Sequence, residues 1–160
     1  MKAKLVVEGK EFDIEILDPK LQELIVPKKK TGYERVSHDE FYYSVNTESE
    51  LSWYKECCDT CDDSLYNNAN YYESEFVAAQ NTRADTLMRQ LRRFAVEHRK
   101  NDRPSERYYI YYIKQVGLQV TRGTDKHIGP WFDTLHAASQ AIEAFRDELT
   151  WYFTEYKDSL

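Results

Sequence analysis

Residues 74–99 read SEFVAAQNTRADTLMRQLRRFAVEHR, and this stretch decides the fold class. Phe76, Val77, Ala84, Leu87, Met88, Leu91, Phe94 and Ala95 recur at spacings of three and four, which puts them on one side of a long helix. The stripe reads as core, not as a cofactor box. Asn101–Pro104 ends it, because proline and the residue before it disfavour helix. On the C-terminal side, Tyr108–Ile113 is a strand apolar on both faces, and Gly117 with Leu118–Arg122 continues the sheet. Gly123-Thr124-Asp125 turns, Trp131-Phe132 ends the β region, and Asp133 or Thr134 caps a last helix carrying Ala138, Ile142, Phe145, Leu149 and Tyr152.

On the N-terminal side, Leu5 and Val7 precede a turn at Glu8-Gly9-Lys10. Phe12, Ile14 and Ile16 then alternate with Asp13 and Glu15, the period of a half-buried strand. Asp18-Pro19 opens a short helix with Leu21, Leu24 and Ile25, stopped by Pro27. A second hairpin is expected from Tyr33–Val36 and Phe41–Val45 around Ser37–Glu40. From Asn46 to Asn70 no period survives, so a long acidic loop is expected there. Strands, helix, strands, helix gives α+β: an antiparallel sheet packed by two long helices, with an N-terminal β-hairpin. The chain reads as one domain, 1–160, with a hairpin subunit at 1–27, a linker at 28–32 and a main body at 33–160.

The 160 residues, 41% of them hydrophobic, suffice for one packed core. A net charge of −6 opposes direct nucleic-acid binding through a phosphate-coating surface. No apolar run approaches the roughly 20 residues of a membrane span, and that at Leu5-Val6-Val7 is too short for a secretion signal. A cytoplasmic location is expected. Cys57, Cys58 and Cys61 contain one CxxC with no second pair, and His38, His98, His127 and His136 are scattered. Neither a metal site nor a disulfide framework is expected.

Thr31-Gly32-Tyr33-Glu34-Arg35-Val36, Phe41-Tyr42-Tyr43, Leu65–Tyr72 and Leu87–Ala95, with Trp131–Thr134, Ala141–Phe145 and Asp147–Leu149, resemble a module in small accessory proteins of phages and mobile elements of Gram-positive bacteria. The resemblance spans about residues 30–155. It implies a setting, the cytoplasm of an infected host and counter-defence of the anti-CRISPR kind. It carries no catalytic residues.

Signatures of hydrolases and phosphate-binding loops are missing from the sequence. Glu155-Tyr156-Lys157 has a nuclease-like E-x-K spacing with Asp133 upstream, but it lies at a helix end with no strand before it. His127 and His136 have no nucleophile beside them. No catalytic residue and no cofactor is assigned; the protein is expected to bind, not to catalyse.

Charge is distributed unevenly. Ten carboxylates lie between Ser37 and Phe76 against the single Lys55, whereas Arg83–Arg107 holds eight bases against four acids. Internal pairing is one account of this polarity, each exposed pair adding about 0–1 kcal/mol. A second is an inhibitor whose acidic, aromatic surface (Trp53, Tyr54, Asp59, Asp62, Asp63, Tyr66, Tyr71, Tyr72, Glu73) occupies a basic groove on a host defence protein. A third is a sponge for a nucleotide-derived immune signal, held by Arg89, Arg92, Arg93, Arg99, Arg107 and Arg122 with Tyr109 and Tyr111. Such pockets often form between protomers, so a homo-oligomer goes with that account. The fourth, a nucleic-acid-binding phage regulator, lacks a recognisable helix-turn-helix.

Overall fold

The computed structural model describes residues 2–7, 10–15, 17, 30–100, 106–123 and 130–156. The turn residues Glu8 and Gly9, Ile16, the short helix expected over 18–27, the first part of the linker, the helix stop at Asn101–Pro104, Thr124 and Asp125 of the expected turn, His127 and Lys157 lie outside them. The architecture is mixed helix and strand, α+β. β1 (Lys2–Val7) pairs antiparallel with β2 (Lys10–Glu15), Lys2 opposite Glu15 and Val7 opposite Lys10.

The second hairpin lies one step further along the chain than the alternation of Tyr33–Val36 places it. β3 (Phe41–Val45) pairs with β4 (Leu51–Lys55), Tyr42 opposite Tyr54 and Tyr43 opposite Trp53. The deciding turn is Asn46–Glu50. The Asn46 carboxamide oxygen accepts from the amides of Glu48 (3.0 Å) and Glu50 (2.8 Å), a side-chain turn that competes well with longer closures. Tyr33–Val36 forms no strand because side chains take its polar groups. Glu34 folds back on the amides of Thr31 and Gly32, and the Val36 amide donates to the Tyr71 hydroxyl.

The stretch expected to be irregular also holds α1 (Thr60–Asn67). Asp59 caps it, accepting from the amides of Cys61 and Asp62, while the Asp62 carboxylate reaches back to the Asp59 amide. This is a capping box built from two aspartates. α2 (Glu75–Glu97), capped by Ser74, buries Ala78, Ala84, Leu87, Leu91 and Ala95. Phe76, expected in that stripe, is 66% exposed. It is in the first turn, beyond the reach of the core. Gly32, at φ +86°, lies so close to α2 that a Cβ there would stand 2.6 Å from Val77 Cγ2.

β5 (Arg107–Ile113) pairs with β6 (Gly117–Gly123), turning at Gly117 with φ +89°. Among the described residues the strands do not join into the single sheet expected. They form two-stranded ladders, each of the last two extended by one bridge: Tyr43 to Tyr72, and Tyr108 to Phe132. These bridges cover one edge of each of the two ladders, that of β3 and that of β5.

The last helix is broken as well. α3 (Leu135–Ala144), capped by Thr134, gives way at Phe145 (φ −123°, ψ 26°) to α4 (Arg146–Trp151) and a π-helical turn, Tyr152–Tyr156. Phe145 meets Phe94 of α2 edge-on, centroids 5.6 Å apart. The core gathers Leu87, Leu91 and Ala95 with Phe132, Ala137, Ala138, Ala141, Ile142 and Leu149, and Ile110, Leu118 and Val120 pack against it. Among the described residues no helix is long and apolar enough to cross a membrane.

Candidate functional site

In the acidic half a buried network comes first. Glu56 is fully buried. Its carboxylate takes a two-pronged bond from Arg35 (3.1 and 2.9 Å), the Tyr71 hydroxyl at 2.6 Å and the Cys58 amide at 2.8 Å. The Arg35 bond, more than the Tyr71 and Cys58 bonds, holds the Glu56 carboxyl at about 2 against the cost of burial. Arg35 also donates to Asp63 at 2.6 Å and lies over the Tyr66 ring. Beside it, Tyr71 stacks on Tyr42 at 3.9 Å between centroids, and the Tyr42 hydroxyl donates to Asp62 at 2.7 Å. Burial, reinforced by those carboxylates, raises both phenols above the ordinary range.

Five of the residues expected on the binding surface are therefore committed inside the protein or to its own cations. Tyr71 and Tyr72 are core, and burial pushes the Tyr72 phenol up to about 12. Asp62 is buried, accepting from Tyr42 and the Cys57 amide. Asp63 pairs with Arg35, and Glu73 pairs with Lys30. The alternation of aromatic and acidic residues could not separate these from surface positions, because a tyrosine suits both sides of a sheet.

Trp53, Tyr54, Tyr66 and Asp59 are exposed. Trp53 (68% exposed) and Phe41 (54%) meet edge-on at 5.2 Å on one face of the β3–β4 ladder. Tyr54 is on the other face, over a groove of about 690 Å³ against α1 lined by Tyr54, Asp59, Thr60, Cys61 and Ser64, with Tyr42 and Asp62 among its walls. β3 is bridged on its outer side by Tyr72, so among the described residues β4 is the open edge of the ladder, with Trp53 and Tyr54 to either side. Phe41 was missed by the sequence reading. Its register opposite Lys55, and so on the same face as Trp53, depended on finding β4.

The surface stays acidic after internal pairing. From Lys30 to Phe76 there are eleven carboxylates against three lysines and arginines. The three thiols are free and exposed; desolvation, then the Glu56 charge, raises the Cys58 pKa, which makes it a poor nucleophile. No group of three or more His, Cys, Asp or Glu among the described residues is placed to hold a metal.

The residues of the nucleotide account are not brought together. Tyr109 is core and Tyr111 is half-buried opposite Gln119. Arg89 reaches Ser49, Arg93 pairs with Glu97, Arg122 pairs with Glu106, and Arg92 is exposed on α2. Only Arg99 and Arg107 converge, both over the ring of Trp131. From the sequence Trp131 reads as the end of the β region and not as a site residue, since Arg99 and Arg107 are 32 and 24 positions away.

Set beside known protein families, curated proteins and solved structures, the chain finds no match. The arrangement defines an acidic protein with an exposed aromatic ladder edge.

Proposed function

We propose that this protein acts in phage counter-defence by stoichiometric binding, its acidic ladder edge occupying a basic groove on a host immune effector. The supporting observation is the edge strand β4, with exposed Trp53 and Tyr54 to either side and Phe41 against Trp53. Aromatic anchors of this kind supply most of the energy of an interface. The surrounding carboxylates set its charge preference and speed encounter. The groove under Tyr54 takes a lysine or arginine of the partner, with Asp59 at its mouth and the phenol beside the cation. In this reading the N-terminal β1–β2 pair is a hairpin appended to a body of α2 and the broken last helix packed on the ladders.

The test is affinity capture from lysate of an infected host, with wild type and Trp53→Ala compared by mass spectrometry. The expected result is one effector retained by wild type and lost with Trp53→Ala. Equal retention by both, or turnover of a substrate by the purified protein, overturns the proposal.

A further inference from the structure

Arg99, Trp131 and Arg107 make a second cluster that the acidic surface does not use. Each guanidinium carbon is 4.9 Å from the centroid of the same indole, so the two cations stand no further apart than twice that distance. They arrive from separate segments, Arg99 from just past α2 and Arg107 from the start of β5. Backbone bonds fix both. The Lys100 amide donates to the Asp133 carboxylate at 2.6 Å, and Tyr108 and Phe132 exchange a pair of bonds, each 2.9 Å. Arg107 and Trp131 flank that bridge diagonally, which puts them on one face.

Two like charges over one indole ring make a place for an anion. Three neighbouring carboxylates among the described residues are engaged elsewhere: Glu97 with Arg93, Glu106 with Arg122 and the Tyr108 hydroxyl, Asp133 with the Lys100 amide. Among the described residues none pairs with Arg99 or Arg107. The acidic half shows how this chain satisfies a ring-stacked guanidinium. Arg35, over Tyr66, receives both oxygens of Glu56 and one of Asp63. Over Trp131 the guanidiniums are present, and among the described residues no carboxylate supplies the oxygens.

We infer that Arg99 and Arg107, held on Trp131, bind a phosphate dianion, free or as the monoester of a small molecule. Guanidinium forks match the oxygens of a phosphate, and two positive charges match its two negative ones. Stacking on the indole orders both side chains before binding, which lowers the entropy lost on capture. With the ring occupied by guanidiniums, the site reads the phosphate and not a stacked base. The site is independent of the β4 edge.

Isothermal titration of the full chain with inorganic phosphate, AMP and adenosine at constant ionic strength tests this. Phosphate and AMP are expected to bind one per chain, and adenosine not at all. Arg99→Gln and Arg107→Gln should each weaken binding about tenfold or more, the loss of a charged hydrogen bond, and lysine at either position should recover only part. Arg92→Gln, on the exposed side of α2, should change nothing. AMP tighter than phosphate assigns the natural source to a nucleotide; equal affinity assigns the phosphate group alone. No binding of either at millimolar concentration, adenosine binding as well as AMP, or Arg92→Gln weakening binding as much as Arg107→Gln overturns the inference. All three arginines are exposed, and circular dichroism of the variants checks that they remain folded.

Discussion

Tyr71-Tyr72-Glu73-Ser74 and Trp131-Phe132-Asp133-Thr134 occupy matching places in the two halves of the chain beyond Lys30. In each, the second aromatic exchanges two backbone bonds with the first strand of a ladder, Tyr72 with Tyr43 and Phe132 with Tyr108. In each, the fourth residue caps the helix that follows, Ser74 for α2 and Thr134 for α3. The local backbone plan is shared, yet the surroundings differ in sign. The first half encloses Arg35 with Glu56 and Asp63; the second sets Arg99 and Arg107 on Trp131, with no carboxylate paired to either among the described residues. One scheme of strands and caps thus supports an acidic face and a cationic one, because the scheme uses backbone bonds and leaves the neighbouring side chains free to vary.

The largest expected effect comes from the apolar side of this comparison. Phe132 is almost wholly buried in the core, so Phe132→Ala should cost roughly 3–5 kcal/mol in urea denaturation. Next is Glu56→Ala in the acidic half. Removing one partner of a buried ion pair costs roughly 3–5 kcal/mol, and the lower end is expected because Arg35 keeps Asp63. A loss equal to that of a surface glutamate would show that the network contributes nothing to stability.

Acid should separate the halves. Glu56 has a folded value of about 2, depressed from 4.5. Its contribution is therefore complete above pH 4.5 and disappears as the pH falls from there towards 2. Glu34, held at about 2 by the amide and hydroxyl of Thr31, acts in the same direction. Hydrogen exchange read by NMR should show β3–β4 and α1 losing protection in that window before β5–β6 does. Loss in the reverse order would break the comparison.

At the ladder edge, Glu48→Gln, Glu50→Gln and Asp59→Asn together should slow association with the effector several-fold at low salt and flatten its salt dependence. Asparagine caps helices as well as aspartate does, so the change removes charge and leaves α1 in place. The smallest effect is at the caps. Thr134→Ala, losing a 3.1 Å bond to the Ala137 amide, should cost about 1 kcal/mol; Ser74→Ala, with a 3.4 Å bond to Val77, should cost less. Thermal denaturation of the two variants gives the order directly.

The sequence by itself determined the local elements: the long helix from the spacing of Ala84, Leu87, Leu91 and Ala95, the β5–β6 strands from their residue types, and a cap at Asp133 or Thr134, which the structure places at Thr134. α1 was also legible through Asp59 and Asp62, had two aspartates at that spacing been taken as a capping box. These follow from interactions within a few residues, so their signal is in the chain order. The tertiary structure alone decided that Phe41–Val45 pairs forwards with Leu51–Lys55, that Tyr42, Tyr71 and Tyr72 turn inward while Trp53 and Tyr54 turn outward, and that Arg83 meets Glu148, 65 positions away. Strand partners and ion pairs are chosen among many competitors that differ by about a kilocalorie per pair. Only packing the whole chain resolves differences that small.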